Sequence, residues 1–183
     1  MGNDFDRTME DFGNIVALEH VNLRAPDQRL AILFYITGMG FTRDPYLVTG
    51  VVNMWVNIGK SQIHLPTNGT QVIRGHTGLV VPNLQSLVQR LESVRNDLAG
   101  TKFDFKNATD HVEVICPWGN EYRVYAPDPQ HGPIRLGIPY VELKVPKDTA
   151  EGIRRFYEQF FGAPSSLEKH KGETATHVSV GYH

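Results

Sequence analysis

Three stretches of this chain repeat one pattern of apolar and polar positions. In EHVNLRAPD (19–27), Val21, Leu23 and Ala25 alternate with His20, Asn22 and Arg24. In GHTGLVVPNL (75–84), Thr77, Leu79 and Val81 alternate with His76, Gly78 and Val80. In PYVELKVPKD (139–148), Val141, Leu143 and Val145 alternate with Tyr140, Glu142 and Lys144. Alternation with a period of two predicts a strand packed on one face only. A proline follows each at the same spacing, Pro26 after His20, Pro82 after His76 and Pro146 after Tyr140.

An amphipathic helix is predicted after each strand. Asp27 is placed to cap the first, with Leu30, Leu33, Phe34 and Thr37 at helical spacing before Gly38 ends it. The second carries Leu84, Leu87, Val88, Leu91 and Val94 after Asn83, and the third Ile153, Phe156, Tyr157 and Phe160 after Asp148. FYITGMGF (34–41) and FYEQFFGA (156–163) repeat in detail. Strand-like segments then follow. VVNMWVNIG and SQIHLP read as a hairpin joined at Gly59-Lys60, and HVEVIC and EYRVYAP flank a turn at CPWGN.

These periods divide the chain into a polar tail (1–16), two full strand-helix-strands units (17–66 and 75–127), a linker (128–137) and a third unit (138–183). The third ends at HVSVGYH with no counterpart of SQIHLP. A sheet lacking its closing strand leaves an unpaired edge and an uncovered stripe at Ile153, Phe156 and Phe160. A homodimer, or membership of a longer four-unit chain, is therefore expected.

Composition narrows the partners. With 40% hydrophobic and 21% charged residues the chain reads as an ordinary globular protein. A net charge of -2 offers no basic field for nucleic acid. No apolar run approaches the ~20 residues of a membrane span, and MGNDFDRTMEDFGN lacks the pattern of a signal peptide. The lone Cys116 fits a reducing compartment, so a cytoplasmic protein is expected.

EHVNLRAPD, FYITGMGF, GHTGLVVPN and CPWGNEYRVYAPD occur in an order that resembles the vicinal oxygen chelate superfamily. That group includes glyoxalase I, fosfomycin-resistance proteins, bleomycin-binding proteins and extradiol dioxygenases. The resemblance implies an α+β fold, in which paired βαβββ units form curled mixed sheets around a cavity with helices outside. The alternation gives an inward face of His20, Asn22, Arg24, Asn53, Trp55, Asn57, Gln62, His64, His76, His111, Glu113, Glu121, Arg123 and Tyr125. So many polar groups on one face fit a wet cavity better than a dry core. The cavity is expected between units one and two.

By the same resemblance, a metal would be held from the opening and last strands of each unit. Here those positions carry His20, His64 and His76, with Arg123 where the family has a carboxylate after Gly-Asn. Three imidazoles are a sufficient ligand set for zinc. A guanidinium ~5 Å from a divalent ion would repel it by roughly 6–7 kcal/mol gross at an effective dielectric of about 20. The first reading is thus a protein that binds a small polar or anionic ligand through His20, Asn22, Trp55, His64, His76, Glu121, Arg123 and Tyr125, without the standard metal centre. On that reading Glu121 either contacts the ligand or neutralises Arg123, and Arg123→Glu is expected to restore affinity for zinc, nickel or manganese. The second reading is a glyoxalase-like isomerase or extradiol-type dioxygenase using zinc, nickel, manganese or iron on the three histidines. A third is a non-catalytic subunit. His111, His131, His170, His177 and His183 belong to no motif.

Overall fold

The computed structural model describes residues 15, 17–46, 52–170 and 172–181. The polar tail expected over 1–16, apart from residue 15, lies outside the described residues, as does His183. The chain divides into two compact units, one built on Leu18–Lys144 and one on the residues from Val145 onward.

The larger unit contains two mixed sheets. The first has the order β1-β4-β3-β2, from His20–Asn22, Ser61–Pro66, Asn53–Ile58 and Thr42–Arg43. The second has the order β6-β7-β8-β5-β9, from Asp104–Asn107, His111–Ile115, Glu121–Tyr125, Gly75–Val80 and Gly137–Leu143. The strand expected to open a third unit is therefore an edge of the second sheet, antiparallel to β5. β5 is buried along its whole length because it is flanked by β8 and β9.

Asp27 caps α1 (Gln28–Ala31) by accepting from the backbone N–H groups of Arg29 and Leu30. The chain then widens into a π-helical turn, Ile32–Gly38, where the sequence predicts a plain α-helix. The buried positions are Ala31, Phe34, Tyr35 and Gly38, shifted from the expected stripe of Leu30, Leu33, Phe34 and Thr37. Tyr35 tolerates burial because its hydroxyl meets that of Tyr122 at 2.6 Å. In α2 (Leu84–Ser93), Asn83 caps through the N–H of Ser86, and Leu87 and Leu91 are buried. Both helices lie on the apolar faces of the sheets, and one core joins Met54, Val56, Ile63, Leu79, Val112 and Val124. Gly59 makes the β3–β4 turn at φ 65°; a Cβ there would fall 2.1 Å from the carbonyl oxygen of Leu136.

The second unit contains α3 (Ala150–Phe161) and a hairpin of β10 (Ser165–His170) with β11 (Glu173–Val178). Its last strand ends at Val178, earlier than HVSVGYH suggests. Phe156 and Phe160 stack on one another and are exposed, as the uncovered stripe predicts. No helix among the described residues is long and apolar enough to cross a membrane.

Candidate functional site

Register sets the polar faces. In the second sheet one row crosses all five strands as Tyr140–Gly78–Arg123–Glu113–Lys106. The next rows are Glu142–His76–Glu121–Ile115 and Val80–Tyr125–His111. The face expected from alternation in unit two is the face observed. Glycine at 78 matters here: a Cβ would sit 2.3 Å from a carbon of the Tyr140 ring, so the ring lies over β5 only because none is present.

A chain of contacts runs along this face. His76 Nε2 lies 3.1 Å from the Tyr140 hydroxyl, and the Tyr125 and Tyr140 hydroxyls are 3.0 Å apart. Burial, then the Tyr125 hydroxyl, push the Tyr140 hydroxyl well above the usual tyrosine value, so it stays protonated. Burial, then Arg123, push His76 down, so its ring is neutral near pH 7. His111 Nδ1 faces Asp110 at 2.7 Å, while its buried Nε2 has no hydrogen bond and lies 3.7 Å from the Glu113 carboxylate. The His131 ring packs 4.5 Å from that of Tyr125, and its Nε2 is likewise unbonded. Burial lowers its affinity for a proton too.

Arg123 occupies the middle of this face, half-buried. No hydrogen bond or ion pair holds its guanidinium among the described residues. The neutralising pair with Glu121 does not form. Glu121 is exposed and sits beside Ile115 and His76 in register, while Glu113, opposite Arg123, is taken by Lys106 at 2.8 Å.

The remaining predicted residues gather on the first sheet. Trp55 and His64 are cross-strand partners whose rings stack at 4.0 Å, and His20 meets Trp55 edge-on at 5.0 Å. Asn22 stands beside His64 on the exposed strand β1. Burial, then the nearby His20, hold His64 neutral. Its Nε2 and the Asn53 Oδ1 are buried without partners. Gln62 bonds Asn57 and Asp44.

The two faces belong to separate sheets, which corrects the expected cavity between units one and two. β5 pairs with β9 rather than with β1. His20 and His64, with ring centroids 6.4 Å apart, are on one sheet, and His76 is bound to Tyr140 on the other. Among the described residues no group of three His, Cys, Asp or Glu side chains could hold a metal ion, so the expected three-histidine set is not brought together. Arg123→Glu would then place a carboxylate on the sheet of His76, which does not carry His20 and His64, so a restored three-histidine metal site no longer follows. Two residues that the sequence reading left out of the site, Tyr140 and His131, lie within it. Tyr140 was flagged by the repeat, in which it replaces His20 and His76; His131 sits in an aperiodic linker with no signal.

No family model matches the sequence, and no curated protein matches it. Solved structures do. Glyoxalase I from Zea mays matches with a TM-score of 0.55 at 18% identity, over 87% of this chain and 64% of that one. A glyoxalase/bleomycin resistance protein/dioxygenase family enzyme from Burkholderia phytofirmans PsJN matches with 0.44 at 19% identity, over 61% and 98%. Lactoylglutathione lyase from Agrobacterium tumefaciens matches with 0.43 at 17% identity, over 60% and 92%. The α+β architecture, with its curled, unclosed mixed sheets, is the vicinal oxygen chelate fold.

Proposed function

We propose that the polar face of the second sheet binds a small acid that also carries a hydroxyl, its anionic group on Arg123. The observation that carries this reading is the half-buried guanidinium with no hydrogen bond or close ion pair among the described residues, set between Gly78 and the Lys106-bound Glu113, whose charge it feels at longer range. An arginine stays charged at any working pH and presents a planar fork to two oxygens. A carboxylate, phosphate or enolate supplies them in matching geometry. The tyrosines are largely occupied: with His76 neutral, Tyr125 can donate to Tyr140 and Tyr140 to His76. His111, bonded to Asp110 through Nδ1, keeps a buried Nε2 without a hydrogen bond, 3.7 Å from the Glu113 carboxylate. A ligand hydroxyl can serve that nitrogen as donor or acceptor, which favours a hydroxy acid or an enolised keto acid over a simple carboxylate. Fold alone selects no chemistry, and no catalytic step is assigned.

Titrating the full chain with glycolate, acetate and inorganic phosphate, read by calorimetry and by the arginine side-chain NMR signals, tests this. Glycolate is expected to bind more tightly than acetate. A charge-assisted bond contributes about 1.5–3 kcal/mol, so Arg123→Gln should weaken glycolate binding about 10- to 100-fold. Trp55→Ala should leave it unchanged. Equal binding by Arg123→Gln, or shifts confined to Trp55 and His64, would defeat the reading.

A further inference from the structure

The connector TNGTQVIRG (67–75), which joins β4 to β5, is held at two points. Thr67 donates its N–H to the Val52 carbonyl at 2.8 Å, and its hydroxyl accepts from the Gln28 amide at 2.9 Å. It also bridges to Ala25, just past β1. Gln71 meets the same stretch: its N–H donates to the Arg24 carbonyl at 3.4 Å, and its Oε1 accepts from the Arg24 N–H at 3.3 Å. Its own carbonyl accepts from the Asn120 side chain at 2.8 Å. Between Thr67 and Gln71 lies a short exposed arc, Asn68-Gly69-Thr70.

Asn68-Gly69 is the one asparagine-glycine step in the chain. The backbone places no demand for glycine there. Its φ is not in the left-handed region, and a Cβ would meet nothing within 4 Å. What the missing side chain leaves open is the backbone nitrogen. That nitrogen lies 2.7 Å from Oδ1 of Asn68, beside the carbonyl carbon of the same side-chain amide. A nitrogen that no side chain shields, already in contact with an amide carbonyl, is set to attack it.

We propose that Asn68 is a self-modification site, at which the chain deamidates through a cyclic imide. The Gly69 N–H gives its proton to solvent base, and the nitrogen bonds to Cγ of Asn68. The Cγ–Nδ2 bond breaks, and the side-chain nitrogen takes a proton from water and leaves as ammonia. Water then opens the imide at either carbonyl. Attack at Cγ leaves an ordinary aspartate. Attack at the main-chain carbonyl leaves an isoaspartate, whose backbone runs through Cβ and Cγ and so gains a methylene. Water enters and ammonia departs, with no oxidant or cofactor.

The lengthened arc must displace one of its ends. Thr67 is held by bonds of 2.8 and 2.9 Å, whereas Gln71 holds Arg24 only at 3.3 and 3.4 Å, at the long limit of a hydrogen bond. The Gln71–Arg24 contact therefore gives first, and the modification releases the chain past β1 from the connector.

Ageing the full chain at mildly alkaline pH, followed by tryptic mapping and electron-transfer fragmentation, tests the site. Conversion is expected at Asn68 ahead of every other asparagine, with aspartate and isoaspartate both present. Gly69→Ala has room for its Cβ, should fold unchanged, and should lose most of the conversion over the same interval. A second comparison needs no variant. Because the fold holds the nitrogen at the carbonyl, the native chain should convert at least as fast as the same chain unfolded in urea. Conversion several-fold slower in the native chain overturns the proposal, by showing that the arc protects the amide. Equal conversion in Gly69→Ala overturns it too. In the deamidated fraction, separated by its added negative charge, the Arg24 and Gln71 amides should exchange hydrogen faster than in the parent. Unchanged exchange there overturns the release of Arg24.

Discussion

Tyr140 illustrates how one missing Cβ can organise a site. Its ring occupies the space above Gly78, and its hydroxyl connects His76 to Tyr125. Gly78→Ala should force the ring aside at a cost of about 1–3 kcal/mol, measured as a lower urea midpoint. Adding Tyr140→Ala should recover much of that loss, because the clash has gone; losses that simply add would show that the ring is placed by something else. The buried Tyr35–Tyr122 pair should behave differently. Tyr122→Phe strands the Tyr35 hydroxyl in the core and should cost about 1–3 kcal/mol, whereas the double change to Phe should be close to neutral. The neutral histidines set a pH dependence. His64, His76 and His131 all hold protons less tightly when folded than at the ordinary value near 6.5. The unfolded chain then binds more protons just below that value, so stability falls as pH drops through it. Urea midpoints at pH 7.5 and 5.5 should differ accordingly, and His76→Gln should shrink the difference; a midpoint that rises on acidification would reverse the sign. Asp110 and Glu113, held below the usual carboxylate range by His111 and Lys106, add their own loss only near pH 4.

At the scale of elements, what was legible follows from which forces act locally. Alternation put Arg123, Tyr125, Glu113 and His76 on one face and Val112, Val124 and Leu79 on the other, because a half-buried strand must sort its side chains by polarity. The helix cap at Asp27 was equally readable, since the oxygen that accepts the first free N–H groups is written in the residue itself, and Asn83 caps α2 by the same chemistry. The short strands β2 and β6 and the hairpin strand β10 were not, because DFKN and SSLEKH show little alternation and are held by their neighbours. The π-helical turn at Ile32–Gly38 has no signal in the spacing, and nothing in the structure explains it. The larger miss was pairing between units. Three near-equivalent opening strands can pair in more than one way, and period alone does not choose among them. The structure joins the second with the third, which puts His76 beside Tyr140 and away from His20 and His64.

For the whole molecule, that choice decides where the chain can be cut. The cut point follows from β9. Although it belongs to the third repeat, it pairs with β5, its Ile138 is 1% exposed, and the compact unit ends just after it at Lys144. A chain stopped after Lys144 keeps both sheets and should melt cooperatively within about 5 °C of the full chain, a shift on the scale of 1 kcal/mol. Stopping after Leu136 instead removes β9, takes Tyr140 from above Gly78, and bares the edge of a strand whose Leu79 and Val80 are fully buried. An apolar strand with an open edge pairs with other copies. That shorter chain should aggregate or lose its cooperative transition, as followed by light scattering during a thermal melt. If it melts like the chain ending at Lys144, β9 is an accessory to the second sheet, and the boundary between units lies before it.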